Sequence, residues 1–243
     1  MKIITSAWPG SGGSTLVILL AYLLDYKVVQ GSEMCRYIIR NLVLGDTGNT
    51  MVMGDHILQK HFVPIYNSFM TDFIKTGELD NIIIDTDLIS FSSKKIDNIF
   101  SIFLHSSSEV RKKRFITDNR PEDIDVLEKR EKELQKDYFK LYGVDFFSIE
   151  DLEKLYDLVL DNSTLSISEE LKLVLNVLNI DSAVDLKQFE KDFWENGKNF
   201  HIEKLKSKNQ FIPASFLFDT MKRKFRKEIN NLPEKIKDII NSA

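Results

Sequence analysis

The stretch from Lys2 to Leu24 constrains this chain more than any other. Lys2-Ile3-Ile4-Thr5 is a short apolar, partly β-branched run that reads as a buried strand. Ser6-Ala7-Trp8-Pro9-Gly10-Ser11-Gly12-Gly13-Ser14-Thr15 follows it. Leu16 to Leu24 is then apolar on nearly every face, as a helix laid against a sheet would be. Strand, glycine-rich turn, Ser-Thr and helix, in that order, is the layout of a phosphate-binding loop. Glycines allow consecutive backbone N–H groups to point at an anion, and the helix N-terminus adds its partial positive charge. Ser14 opens the helix and brings a hydroxyl to where Mg²⁺ sits in such loops.

The match to G-x-x-x-x-G-K-[ST] departs at two positions. Ala7 stands at the first glycine and Gly13 stands where the lysine belongs, with Gly12 as the second glycine. That lysine contacts the β- and γ-phosphates, so its loss removes a charge from the place where phosphoryl transfer builds up negative charge. The backbone cradle survives. A lysine at position 13 is expected to suit the loop, so Gly13→Lys should return the missing charge. A glycine-rich turn that binds nothing is the alternative reading of the same residues.

At 243 residues the chain is long enough for one large domain, or one domain with an appendage. With 43% apolar and 29% charged residues it has the composition of an ordinary globular protein. A net charge of −4 excludes nucleic-acid binding by bulk electrostatics. Acidic side chains outnumber basic ones through residue 180, and the order reverses after it. Cys35 is the only cysteine, so no intrachain disulfide can form and a reducing compartment is expected. The longest apolar run, Leu16 to Leu24, falls short of the roughly 20 residues that span a bilayer. No signal-peptide pattern is present, which makes the cytoplasm the expected location. His56, His61, His105 and His201 form no metal-ligand spacing.

Along the chain, Lys27–Gln30, Asn81–Asp85, Ile99–Leu104 and Leu158–Leu160 read as further strands. Helical spacing runs over Glu33–Leu44 and over Asp55–Lys75, the latter interrupted by Pro64. Ser108 caps a basic helix to Thr117, and Pro121 starts a charged helix to about Leu141, closed by Gly143. Ser168 is expected to cap a helix through about Leu178. Strands alternating with helices imply a parallel sheet covered on both faces, with ligands beyond the C-terminal strand ends. Asp85, at such an end, either holds Mg²⁺ through water or caps the following turn.

Taken together, several segments resemble cytidylate kinases, especially the archaeal type. They are the glycine loop, Glu33-Met34-Cys35-Arg36, Val110-Arg111-Lys112-Lys113-Arg114, Lys129-Arg130-Glu131, Tyr138 to Asp145, and Tyr156 to Ser163. The resemblance covers roughly residues 1–180. It implies a P-loop nucleoside monophosphate kinase: an α/β fold with a five-stranded parallel sheet and helices on both faces. It also implies a helical monophosphate-binding insertion at about 31–78 and a lid at about 111–142. On this resemblance Gly10, Ser11, Gly12, Gly13, Ser14 and Thr15 hold the ATP phosphates, and Ser14 and Asp85 hold Mg²⁺. Ser32, Arg36 and Asp85 face the acceptor, while Arg111, Arg114 and Arg130 are the catalytic cations. Three positions where the family carries a cation do not have one here: Gly13, Asp87 and Asp137. Arg120, Lys94, Lys95 and Lys136 are the candidate substitutes.

Residues 181–243 lie outside the resemblance and are expected to be a helical C-terminal extension. Phe189, Phe193, Trp194 and Phe200 lie among charges, as in amphipathic helices, and a further helix is expected from Ala214 to about Asn230. The leading expectation is transfer of the ATP γ-phosphoryl group to CMP or dCMP. The alternatives are a nucleotide-binding sensor or scaffold that has lost transfer, and a related kinase with another small acceptor. Neither a membrane nor a nucleic acid is an expected partner. A protein partner, or self-association through the C-terminal helices, stays open.

Overall fold

The computed structural model describes residues 1–31, 33, 37, 70–71, 73–75, 79–86, 97–117, 124–217 and 219. Within them lie strands β1 (Lys2–Ala7), β2 (Lys27–Gln30), β3 (Ile82–Asp85), β4 (Ile99–His105) and β5 (Leu158–Asp161). The helices are α1 (Gly13–Leu24), α2 (Ser108–Thr117), α3 (Ile124–Tyr142), α4 (Ile149–Glu153), α5 (Ile167–Val177) and α6 (Leu186–Ser207).

The strands form one parallel sheet in the order β2-β3-β1-β4-β5, with β1 at its centre. Their continuous apolar sequence follows from burial on both faces. Ile3, Ile4, Val28, Val29, Ile83, Ile84, Ile102 and Phe103 are all sealed from solvent. Side chains alternate across the sheet, so neighbours in β4 serve two cores. Ile102 and Leu104 join Ile3, Ile83 and the buried side chains of α1, α5 and α6. Phe103 points the other way, into Tyr138 of α3, Phe146, Leu152 of α4 and Tyr156.

Helix α1 sits between sheet and outer helices, which explains a sequence with almost no polar face. The outer layer includes the C-terminal extension. Phe189, Phe193 and Leu205 of α6 are buried against α1 and α5, and burial of each stabilises the fold by about 1.5–3 kcal/mol. The segment after α6 then returns to the sheet edge. Val28 donates its N–H to Gln210 and accepts from Ile212, making a parallel bridge between Val28 and Phe211. Residues 186–212 are thus built into the same core as the sheet.

Two local expectations change. The cap of α5 is Ser166, not Ser168: Ser166 accepts from the N–H of Glu169, whose carboxylate reaches back to the Ser166 N–H. Helix α4 is not among the elements expected from the sequence; Ser148 caps it through the Asp151 N–H. The helix expected over Glu33–Leu44, the one over Asp55–Lys75 and the one from Ala214 to Asn230 lie largely outside the described residues.

Candidate functional site

The glycine loop leaves the C-terminal end of the central strand and runs into α1. Trp8 donates its N–H to Leu104 O of β4, and Ser11 donates back to Trp8 O at 2.9 Å, closing a turn over Pro9 and Gly10. Proline at the second position and Gly10 with φ +84° at the third are what a type II turn demands. Gly12, with φ +92°, is the N-cap of α1; its carbonyl accepts from Thr15 and Leu16, and it has no side chain to cap the helix. Gly13 and Ser14 precede these bonded positions, and the partial positive charge of the α1 N-terminus lies at the loop.

The loop is braced by the segment after α3 and by α2. The Trp8 indole donates to Phe146 O at 2.7 Å and stacks on Phe147 with ring centroids 5.1 Å apart. Arg111 places its guanidinium 5.2 Å over the Trp8 ring, donates to Ser106 O and pairs with Glu131 of α3. Gly10 packs on Arg111 so closely that a β-carbon there would come within 3.1 Å of the Arg111 carbonyl.

Beneath the loop lies a buried polar network centred on Asn162, just past β5. Its amide nitrogen donates to Ser11 O at 2.8 Å and to Glu170 Oε2 at 2.7 Å. Its amide oxygen accepts from Ser106 Oγ and, at 3.1 Å, from Arg114. Arg114 also reaches Ser11 O, Ser106 Oγ and the Asn162 carbonyl. Both amide hydrogens and the oxygen of Asn162 are thus used, which fixes its orientation. Glu170 is buried in the first turn of α5. Burial pushes its carboxyl up to about 7, while the Asn162 amide and the Arg114 charge pull it down.

Positions 7 and 13 prove to be coupled. A β-carbon on Gly13 would lie 2.7 Å from the Ala7 β-carbon, closer than packed carbons approach. With alanine at 7, only glycine fits at 13 without a shift. The two departures from the motif are one, and the expectation that the loop suits a lysine at position 13 is corrected.

Of the remaining expected site residues, Gly10 to Thr15 form the loop as described, and Arg114 lies under it. Arg111 is 5% exposed, with its charge committed to Glu131 and Trp8. These contacts join Trp8 to α3. Asp85 ends β3 beside Thr5 of β1, on the side of the sheet from which the loop emerges. Ser32 and Arg36 lie outside the described residues, as do Asp87, Lys94, Lys95 and Arg120. Arg130 is on α3, and its side chain is also outside them. Among the described residues no cluster of three His, Cys, Asp or Glu could hold a metal ion. None of their helices is long and apolar enough to cross a membrane.

One cation at the loop is absent from the residues expected there. Lys198 of α6 donates to Ser14 Oγ at 2.7 Å. No local signal marks it: the contact joins residues 184 apart in sequence, and Lys198 sits in an ordinary charged helix.

Strand order, crossover helices and the loop at the end of the central strand define a P-loop α/β protein of the kinase-like, five-stranded kind. In sequence the chain is cytidylate kinase-like. It is 28% identical to a cytidylate kinase of Saccharolobus islandicus over 197 residues, which is 79% of this chain and 98% of that one. It is 27% identical to the cytidylate kinase of Sulfolobus acidocaldarius over 74% of this chain and 94% of the relative, and 26% identical to that of Pyrobaculum neutrophilum over 72% and 91%. No family model matches. Among solved structures, an uncharacterized protein from Eubacterium ventriosum shares the fold, with a TM-score of 0.53 and 12% identity over 74% of this chain and 98% of that one.

Proposed function

We propose that the chain is a nucleoside monophosphate kinase that transfers the γ-phosphoryl group of ATP to CMP or dCMP. The observation that carries this reading is the braced glycine loop at the end of β1, in a chain similar to cytidylate kinases along nearly their whole length. The residues present fit a nucleotide's phosphates. Gly12 and the first turn of α1 offer backbone donors, and Ser11 Oγ is buried in the loop with no hydrogen-bond partner among the described residues. Mg²⁺ takes oxygen ligands, and in P-loop proteins a loop Ser or Thr and an Asp hold it beside the substrate phosphates, which suits Ser14 and Asp85. When bound it would neutralise charge on the β- and γ-phosphates.

The protein's part is positioning and electrostatics, with no covalent intermediate. The loop N–H groups orient the donor's phosphates. Arg114 and Asn162 hold the Ser11 carbonyl, so the cradle is set before substrate arrives. Arg36 is assigned to the acceptor phosphate, Ser32 and Asp85 to the acceptor's other groups, and Arg130 to the transferring phosphoryl group when the lid closes. Arg111 is assigned to fastening α3 onto Trp8.

A second reading is a nucleotide-binding scaffold without transfer. It is favoured by Gly13 and by the commitment of Arg111 to Glu131. A coupled assay with ATP and each of CMP, dCMP, UMP, AMP and GMP separates the two. Turnover with CMP or dCMP above the others supports the kinase. ATP binding without turnover on any of the five supports the scaffold.

A further inference from the structure

We propose that Lys198, presented by the C-terminal helix α6, is the phosphate-contacting cation of the glycine loop, in place of the lysine absent at position 13. The proposal rests on the nucleotide-binding reading above and extends it to a part of the chain outside the kinase resemblance.

Three observations converge. The first is steric: the Ala7 methyl occupies the space that any side chain at 13 needs, so the loop itself has no room for its usual cation. The second is position. The Lys198 ammonium is 2.7 Å from Ser14 Oγ. Ser14 is in the first turn of α1, the end of the helix toward which an anion is drawn. A cation on that hydroxyl is at the mouth of the cradle, where the β- and γ-phosphates of a bound nucleotide would approach.

The third is how the lysine gets there. Helix α6 is broken at Gly197, which has φ +77° and ψ 165°. That conformation is essentially reserved for glycine. A β-carbon at 197 would meet nothing within 4 Å among the described residues, so glycine is required there by the backbone and not by crowding. The break starts a second helical half at Lys198. On either side of it, Phe193 and His201 are buried, their rings 5.2 Å apart. Lys198 is therefore the arm of a well-packed element and not of a loose tail. Ordering a lysine side chain costs conformational entropy, and a rigid base reduces what remains to be ordered when phosphate binds.

The geometry also defines the opposite possibility. An ammonium that stays on Ser14 Oγ keeps Mg²⁺ off that hydroxyl and is a plug that nucleotide must displace, whereas an ammonium drawn onto the phosphates leaves the hydroxyl to the metal. The two differ in sign. A phosphate contact makes ATP binding weaker when removed; a plug makes it tighter.

The test is calorimetric titration of ATP, ADP and AMP into wild type, Lys198→Ala and Lys198→Met, each with Mg²⁺ and again with EDTA. Far-UV circular dichroism and thermal melting establish that each variant is folded, and Lys198→Met keeps the aliphatic stem. The expected result is a rise of tenfold or more in the Kd for ATP in both variants, with and without Mg²⁺, and a rise of less than threefold for AMP. An unchanged or lower Kd for ATP in Lys198→Met, with wild type binding normally, overturns the proposal. Wild type that binds no ATP removes the nucleotide reading itself, and this proposal with it.

Discussion

Glu170 gives the sharpest energetic prediction, because its carboxyl is buried under the loop and hydrogen-bonded within the network around Asn162. Burial raises its pKa from the ordinary 4.5 to about 7, against the opposing pull of the Asn162 amide and Arg114. Between these values the folded protein holds a proton that the unfolded chain has already released. Stability from this group is therefore fully present below about pH 4.5 and is lost as pH rises through about 7. At 1.36 kcal/mol per pKa unit, the loss amounts to about 3 kcal/mol. Glu170→Gln keeps an oxygen for Asn162 to donate to and removes the titration. Urea unfolding of wild type and Glu170→Gln, measured from pH 4.5 to 8.5, should show the difference moving in favour of the glutamine variant by about 3 kcal/mol. Most of the change should fall between pH 5 and 7.5. Two stability curves that stay parallel across this range would refute the reasoning, since they would mean that Glu170 titrates alike in the folded and unfolded chains.

Further outcomes follow from the loop. Gly13→Lys should destabilise the protein by about 1–3 kcal/mol through overpacking on Ala7, and Ala7→Gly added to it should recover most of that; thermal melts of the single and double variants decide it, and an unperturbed single variant would contradict the coupling. Gly12→Val places a β-branched residue at φ +92°, which costs about 1–3 kcal/mol in the backbone and crowds the phosphates; ATP titration should show no binding. Arg36→Ala should raise the acceptor KM strongly, whereas Arg130→Ala should mainly lower kcat; small, equal effects in steady-state kinetics would show that neither role belongs to these positions.

Much of the fold is legible in the sequence because buried parallel strands leave a plain trace. Lys27-Val28-Val29-Gln30 and Asn81 to Asp85 are short apolar runs between turn residues, and their strands fall within a residue of the expected bounds. Gly143 announces the end of α3, and it has the left-handed φ of +67° that such a stop uses. The cap of α5 is easily given to the wrong serine because two serines lie two apart. Only the spacing from Ser166 to Glu169 gives the reciprocal capping pair. Helix α4 leaves no trace because five residues carry too little periodicity to register.

The site is legible as a loop and not as a set of charges. Glycines at 10 and 12 betray the backbone that the cradle needs. The value of Arg111 depends on Glu131, twenty residues further on and across two helices, which no local pattern reveals. The steric link between Ala7 and Gly13 and the reach of Lys198 to Ser14 are consequences of packing. In sequence, the Ala7–Gly13 link resembles two separate lapses from a motif, and Lys198 is one lysine among many.

The central claim is that this loop binds ATP for phosphoryl transfer. Its most direct test is a rapid-quench single-turnover experiment with enzyme in excess, ATP labelled at the γ-phosphate, Mg²⁺ and saturating CMP. The account predicts that the label leaves ATP and appears in CDP within one enzyme turnover. Label that stays on ATP while titration shows the nucleotide bound, with CMP and equally with dCMP, would contradict it.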